Sequence, residues 1–434
     1  MKMKNNSVYK PLKVQKKVLE IVDECFKKEN NGDMDARSVA FDDLKEFLIE
    51  TGDGSYTIKS EVSEGSSETM HTHHGGLDES LEKYVKPSHL TEKKDVHVLD
   101  ICSGLGYTTA VCLEYLNNET NPEICIDMVE ISPLTLATGL IIPSPVKSHE
   151  IVKKAIEDKL FSTGFLKFRT IKEKIPDNIK LNIHITDARE LVKNYGFTKE
   201  TSQNPAKESV NSNESIDKSN TYDAIFLAPF SPGISPELYS LEFLKGLKSM
   251  LKNDGMFLTY TAASAVRYAI IKTGLYVGEG PRFGRSGGTL ASPLLVNIEK
   301  PLSSRDERMV ALSDAGTPFR DFTLNDSSIE ISERRQNERK IARKDYKFAS
   351  TVKSPIYLCN DIKIEDRLMR RVLKDIRRLG FEDLESEKSK YIVCPQYREC
   401  ICGSKCEPLE NSSERVIEME KRLNKIMEYG NIPE

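Results

Sequence analysis

Beyond residue 96 the chain alternates short apolar runs with longer amphipathic stretches. Runs at 96–101, 124–129, 181–185, 222–227 and 256–260 read as strands, with two more near Leu275 and over 294–298. Between them, 107–116, the stripe Leu241, Phe243, Leu244, Leu247 and Leu251, and 262–272 read as helices. Strands alternating with helices build a parallel sheet covered on both faces. The expected fold class is therefore α/β, a doubly wound, mostly parallel sheet.

The flanks have other patterns. Leu12, Val14, Val18, Leu19, Ile21 and Val22 recur at helical spacing, so 1–50 is expected to form a helical cap. The glycine-containing turn Thr51-Gly52-Asp53-Gly54-Ser55 leads into a short alternating piece at 56–58. Leu77, Leu81, Tyr84 and Val85 then trace a helical face that stops near Pro87. Residues 199–221 carry only Val210 and Ile216 as larger aliphatics, and so little apolar surface predicts a disordered insertion. After residue 300 the chain turns charged and helical. Leu368, Met369, Val372, Leu373, Ile376 and Leu379 form one stripe, and Arg367, Arg370, Arg371, Lys374, Arg377 and Arg378 fill the opposite face. A last helix runs through Met419 and Leu423. The expected division is 1–50, 51–300 and a mainly helical appendage at 301–434.

Composition narrows the class. The 434 residues are 30% charged, and no stretch of about 18 apolar residues occurs, which excludes a membrane-spanning helix. No apolar stretch follows the lysines of MKMKNNSVYK, so no signal peptide is expected, and nine scattered cysteines fit reduced thiols or metal ligands. The expected location is the cytoplasm. The net charge of −4 is a cancellation, because residues 334–378 hold 15 Lys/Arg against 6 Asp/Glu. Such a segment is either a solvated face or a phosphate-binding one.

The strongest candidate chemistry lies at Asp100-Ile101-Cys102-Ser103-Gly104-Leu105-Gly106, where a strand ends in an acid and a Gly-x-Gly turn opens a helix. Glycines admit close backbone approach, and a helix N-terminus offers unpaired N–H groups. Glu130, ending the next strand, is placed to accept from a ribose diol, and Asp187-Ala188, after the third, to read an adenine edge. Thr109 stands where a dinucleotide fingerprint has its third glycine, which favours S-adenosylmethionine over NAD. His71, His73 and His74 read as loop residues rather than a metal set. Cys394, Cys400, Cys402 and Cys406, spaced C-x5-C-x-C-x3-C, fit a structural zinc, an iron–sulfur cluster or unpaired thiols, with a disulfide as the remaining choice.

On the Asp100–Gly106 turn, Glu130 and Asp187, the chain resembles class I S-adenosylmethionine-dependent methyltransferases. More narrowly, it resembles the methyltransferase domain of MnmC-type tRNA enzymes. The segments that carry this are Asp53-Gly54-Ser55-Tyr56-Thr57, Glu68-Thr69-Met70-His71 with Gly75-Gly76 and Glu79, and Pro229-Phe230-Ser231-Pro232 with Pro236-Glu237-Leu238. Thr259-Tyr260-Thr261, Ser264-Ala265-Val266-Arg267 and 285–292 complete the set, which covers roughly 51–298.

The resemblance implies methylation of an aminomethyl group on a wobble uridine, with tRNA as partner. The remaining residues are too few for the flavin oxidase domain that bacterial two-domain members carry. It also implies that Ser55, Glu79, Asp100, Gly104, Gly106, Glu130, Asp187 and Ala188 surround the cofactor. Phe230, Ser231, Arg267 and Arg285 would face the substrate. The family pattern has an acid where this chain has Ala228, and Glu68 and His71 are the nearest candidates to replace it as the catalytic base. Two alternatives stay open: a polyamine-synthase-like aminopropyltransferase, and a catalytically impaired tRNA-binding scaffold.

Overall fold

The computed structural model describes residues 15–60, 68–201, 222–284, 286–360, 364–430 and 432. Most of the polar stretch at 199–221, and Arg285, lie outside the described residues. The first helices are α1 (Lys16–Asn30) and α2 (Ala36–Leu44), and Arg37 ties them to a third by pairing with Glu29 at 2.7 Å and Glu157 at 2.9 Å. Next comes a small antiparallel pair, β1 (Leu48–Glu50) and β2 (Tyr56–Ile58), with Leu48 opposite Ile58. Residues 48–50 thus depart from the helical expectation, because the turn at 51–55 folds them back onto the alternating piece. A short helix, α3 (Gly76–Ser80), continues as one π turn over Leu81–Val85.

The central elements are β3 (Asp95–Ile101), α4 (Tyr107–Glu119), β4 (Glu123–Glu130), α5 (Pro133–Ile141), α6 (His149–Ser162), β5 (Ile179–Ile185), α7 (Ala188–Thr201) and β6 (Tyr222–Leu227). They are followed by α8 (Leu241–Met250), β7 (Leu251–Thr259), α9 (Ser264–Lys272), β8 (Tyr276–Phe283) and β9 (Ser286–Ser292). Seven strands form one mixed sheet in the order β5-β4-β3-β6-β7-β9-β8, and the pairs from β5 to β7 are parallel. Every residue of β6 is buried, as expected of a strand covered on both faces. The sheet flanked by helices is the class I methyltransferase fold, with a helical N-terminal cap and a mainly helical C-terminal region.

The strand expected over 294–298 is absent. Leu295–Asn297 make a single 3-10 turn, and Val296 is 82% exposed, so this apolar run reaches no core. The neighbouring strand is instead the glycine-bearing β9. A Cβ on Gly288 would stand 2.4 Å from the Thr259 carbonyl oxygen, so glycine is what lets this strand approach β7.

The remaining helices are α10 (Ser304–Leu312), α11 (Ser328–Asp345), α12 (Asp366–Arg378), α13 (Glu387–Val393) and α14 (Ser412–Tyr429). The chain divides into two compact units. The first holds Met1–Leu238, Ser249–Tyr260 and Gly280–Gly288; the second holds Tyr239–Lys248, Thr261–Glu279 and Thr289–Glu434. Among the described residues, no helix is long and apolar enough to cross a membrane.

Candidate active site

In the first unit, β3 leads into a turn that only a special backbone can make. Cys102, Gly104 and Gly106 all have positive φ, at 64°, 54° and 83°. Cys102 pays a steric penalty there that a glycine would not, and such strain gathers at functional sites. From α6, the His149 Nε2–H donates to the Leu105 carbonyl at 2.8 Å, pinning the turn from behind. Burial holds His149 down at about 4, so the ring is neutral.

Acids end the strands around this turn. Asp100 is fully buried; its Oδ2 accepts from the Thr109 hydroxyl at 2.7 Å, while Oδ1 has no partner among the described residues. Burial pushes its carboxyl up to about 7. Thr109, the residue in place of the third glycine, therefore has a task of its own. Glu130 accepts from the Gly104 amide at 3.2 Å and the Ser132 amide at 3.0 Å, and burial raises its pKa. Asp187 accepts from the amide and the guanidinium of Arg189, both at 2.9 Å. Glu79 takes the Thr72 amide at 3.0 Å and pairs with Lys83 at 2.9 Å.

Beside this turn, the adjacent parallel strand β6 runs out into Ala228-Pro229-Phe230-Ser231, with the Ala228 amide donating to the Ile101 carbonyl at 3.2 Å. The Glu68 carboxylate accepts from the Ser231 amide at 2.9 Å and also from the Ser231 hydroxyl. An acid from 163 residues away in sequence is thus clamped onto the loop whose expected acid is Ala228. Both line a cavity of about 1020 Å³. Its wall holds five carboxylates (Glu68, Glu79, Glu130, Asp187 and Glu237) against Lys16, Lys59 and Lys83. Lys83 answers Glu79 and Arg189 answers Asp187, so the wall keeps a modest excess of acid, which favours cationic groups.

Of the residues singled out from sequence, Glu68, His71, Glu79, Gly104 and Glu130 line this cavity, as do Asp187, Ala188, Phe230 and Ser231. Burial lowers the pKa of His71, whose ring centroid lies 5.5 Å from that of Tyr107. Ser55, Asp100 and Gly106 sit behind the lining, and the Ser55 hydroxyl accepts from the Gly76 amide at 3.1 Å. Arg267 belongs to the second unit, where it is buried and engaged by Thr289 at 3.1 Å and Asp306 at 3.0 Å. Sequence reasoning passed over His149, Tyr260 and Glu237. The last two stood inside quoted segments without an assigned role, whereas nothing local marked His149.

The turn and its acids fit S-adenosylmethionine. The left-handed cradle at Gly104, where a Cβ would meet Met70 Cε at 3.1 Å, lines the cavity together with Glu130 and Asp187 and lets a ligand come close to the backbone. In the second unit, the sulfurs of Cys394, Cys400, Cys402 and Cys406 lie within 4.8 Å of one another.

Comparison with known proteins agrees with this geometry. A family model described as S-adenosyl-L-methionine-dependent methyltransferase matches residues 147–293. An uncharacterised protein of Methanocaldococcus jannaschii, MJ0670, is 31% identical over 329 residues, covering 75% of this chain and 82% of that one. A 66-residue stretch is 39% identical to the tRNA 5-methylaminomethyl-2-thiouridine biosynthesis bifunctional protein MnmC of Actinobacillus pleuropneumoniae, and spans 10% of its length. The solved structure of MnmC2 from Aquifex aeolicus aligns at 22% identity and a TM-score of 0.49, over 74% of this chain and 99% of that one. The protein is an S-adenosylmethionine-dependent methyltransferase. Within that class, it belongs to one family with the Methanocaldococcus protein, and a short stretch of it is similar to MnmC.

Proposed function

We propose that this methyltransferase acts on tRNA, transferring a methyl group to the amine of an aminomethyl substituent on a wobble uridine. The observation that carries the reading is the Glu68–Ser231 clamp. It places a carboxylate on the Pro229–Pro232 loop, at the wall of the cavity that also contains Gly104 and Glu130. The name of the MnmC relatives supports the choice of substrate.

S-adenosylmethionine would be held by the Gly104 turn, with Glu130 toward its ribose and Asp187-Ala188 toward its adenine. When bound, it supplies an electrophilic methyl group on a positively charged sulfonium. The chain's own residues do the rest. An amine can attack only through a free lone pair, so its ammonium form must lose a proton. Glu68 accepts that proton and, through Ser231, keeps its carboxylate aimed at the amine. The excess of acid on the wall favours both cations, and the cavity holds the two reactants next to one another. The exposed arginines of α12 offer tRNA phosphates a partner.

Incubation with labelled S-adenosylmethionine and tRNA from cells lacking this modification, followed by nucleoside mass spectrometry, tests the proposal. Label is expected in one methylaminomethyl-uridine nucleoside. Label in free polyamines alone, or tRNA binding without transfer, would replace it with one of the two alternatives.

A further inference from the structure

The second unit contains a cysteine arrangement that methyl transfer does not use. Between the 3-10 turn at Cys394–Gln396 and α14 the chain runs from 397 to 411 with no helix or strand. Tyr397, Ile401, Pro408 and Leu409 are its only sizeable apolar residues, and none is fully buried. Apolar burial therefore does little to hold this segment; its ends are tied by the Tyr397 hydroxyl to the Cys359 carbonyl at 2.7 Å and by Arg415 to the Leu409 and Glu410 carbonyls, both at 3.0 Å, and its middle carries the cysteines. Three of the four cysteines lie on this segment, and the fourth, Cys394, opens the 3-10 turn before it. Cys402 and Cys406 are brought together by a reversal through Gly403 and Lys405, both at positive φ (80° and 52°).

The sulfur geometry separates the possible uses. Successive sulfurs lie 3.9 Å (Cys394–Cys400), 3.7 Å (Cys400–Cys402) and 3.5 Å (Cys402–Cys406) apart. No pair is near the disulfide bond length of about 2.05 Å. Four thiolates around one zinc at about 2.3 Å give tetrahedral edges of about 3.8 Å. A four-iron cluster instead puts each thiolate on a different iron at the corners of a cube, spreading the sulfurs well beyond this.

The surroundings suit thiolates as well. Arg422 of α14 directs its guanidinium at Cys406 Sγ (3.2 Å) and Cys402 Sγ (4.0 Å), held there by Glu418 at 2.8 Å and the Tyr391 carbonyl at 3.0 Å. A buried cation facing two sulfurs offsets the charge that four thiolates leave on a divalent metal. Cys359 is not part of this group and instead faces the Leu384 carbonyl at 3.5 Å.

From this geometry we infer that Cys394, Cys400, Cys402 and Cys406 hold a single tetrahedral zinc ion that fastens the 397–411 segment to the turn at Cys394, with Arg422 of α14 against its sulfurs. Binding displaces the thiol protons to solvent and leaves the metal redox-inert, so no further reactant is needed. The site is closed by four protein ligands, which makes it structural.

The test uses the full chain, produced in medium containing both zinc and iron. Metal content is read by mass spectrometry and acid-labile sulfide is measured in parallel. One zinc per chain without sulfide is expected. Iron in its place, with or without sulfide, overturns the assignment, and so does a metal-free chain whose four thiols react promptly with a thiol reagent. Exchange into cobalt should give the intense visible bands of a tetrahedral tetrathiolate; a weak octahedral spectrum overturns it too. Cys402→Ser should lose the metal and Cys359→Ser keep it, while Arg422→Ala should weaken zinc retention by ~10-fold or more. If Cys402→Ser does not fold, the cobalt spectrum of the unaltered chain still decides.

Discussion

Glu68 and Ala228 make the sharpest pair of residues for experiment. If Glu68 carries the proton, Glu68→Gln should lower kcat by about 10²–10⁴-fold with little change in the KM for S-adenosylmethionine. Ala228→Asp alone adds a second acid beside the first, and like charges would raise one pKa without improving turnover. The double variant Glu68→Gln/Ala228→Asp should recover part of the loss, and a double-mutant cycle on kcat measures that coupling. Two buried groups also set opposing pH slopes on stability. An unfolded His149 takes a proton near 6.5 but the folded one only near 4, so this residue removes stability as pH falls through that window. Folded Asp100 keeps its proton to about 7, against 3.8 when unfolded, so it removes stability as pH rises through its own window. Between pH 4 and 6.5 the two oppose one another. Thermal melts without cofactor should then show His149→Gln losing stability as pH rises and Asp100→Asn losing it as pH falls, relative to the flatter parent.

At the scale of elements, legibility followed burial. Strands β3, β4 and β6 could be read because both their faces are covered, which leaves near-continuous apolar runs. β9 could not, since Gly287 and Gly288 carry no strand propensity and only the approach to β7 explains them. α11 was equally silent: it is polar nearly all round, with only Ile331 and Ala342 buried. The cofactor turn was legible because its residues are contiguous. The Glu68 clamp was not, because it joins segments that only the fold brings together. The basic stripe of α12 was visible from its period, and Arg367, Arg370, Arg371 and Lys374 are all exposed. Converting these four to Gln should weaken tRNA binding and make the slope of log K against log salt shallower by about 0.9 for each phosphate no longer neutralised. Affinity for S-adenosylmethionine, measured by calorimetry, should not change.

For the whole molecule, the chain passes repeatedly between the two units. Helix α9 lies in sequence among the strands of the sheet, yet Arg267 pairs with Asp306 and Tyr268 with Glu420 at 2.8 Å, all within the second unit. Likewise the Leu241 amide donates to the Phe319 carbonyl at 3.0 Å. A fragment ending at residue 300 would keep 239–248 and 261–279 but lose the partners that cover them. Its soluble yield is expected to fall sharply, and co-expression of 301–434 should restore part of it; a single melting transition in the recovered pair would confirm reassembly. The Glu68 clamp carries a consequence at this same scale. If Glu68 carries the proton, the acid and the loop it serves come from segments 163 residues apart that only the folded chain brings together. A change at 228 read from the motif alone would then say little about whether a base is present, whereas the cavity, where both segments meet, would report it directly.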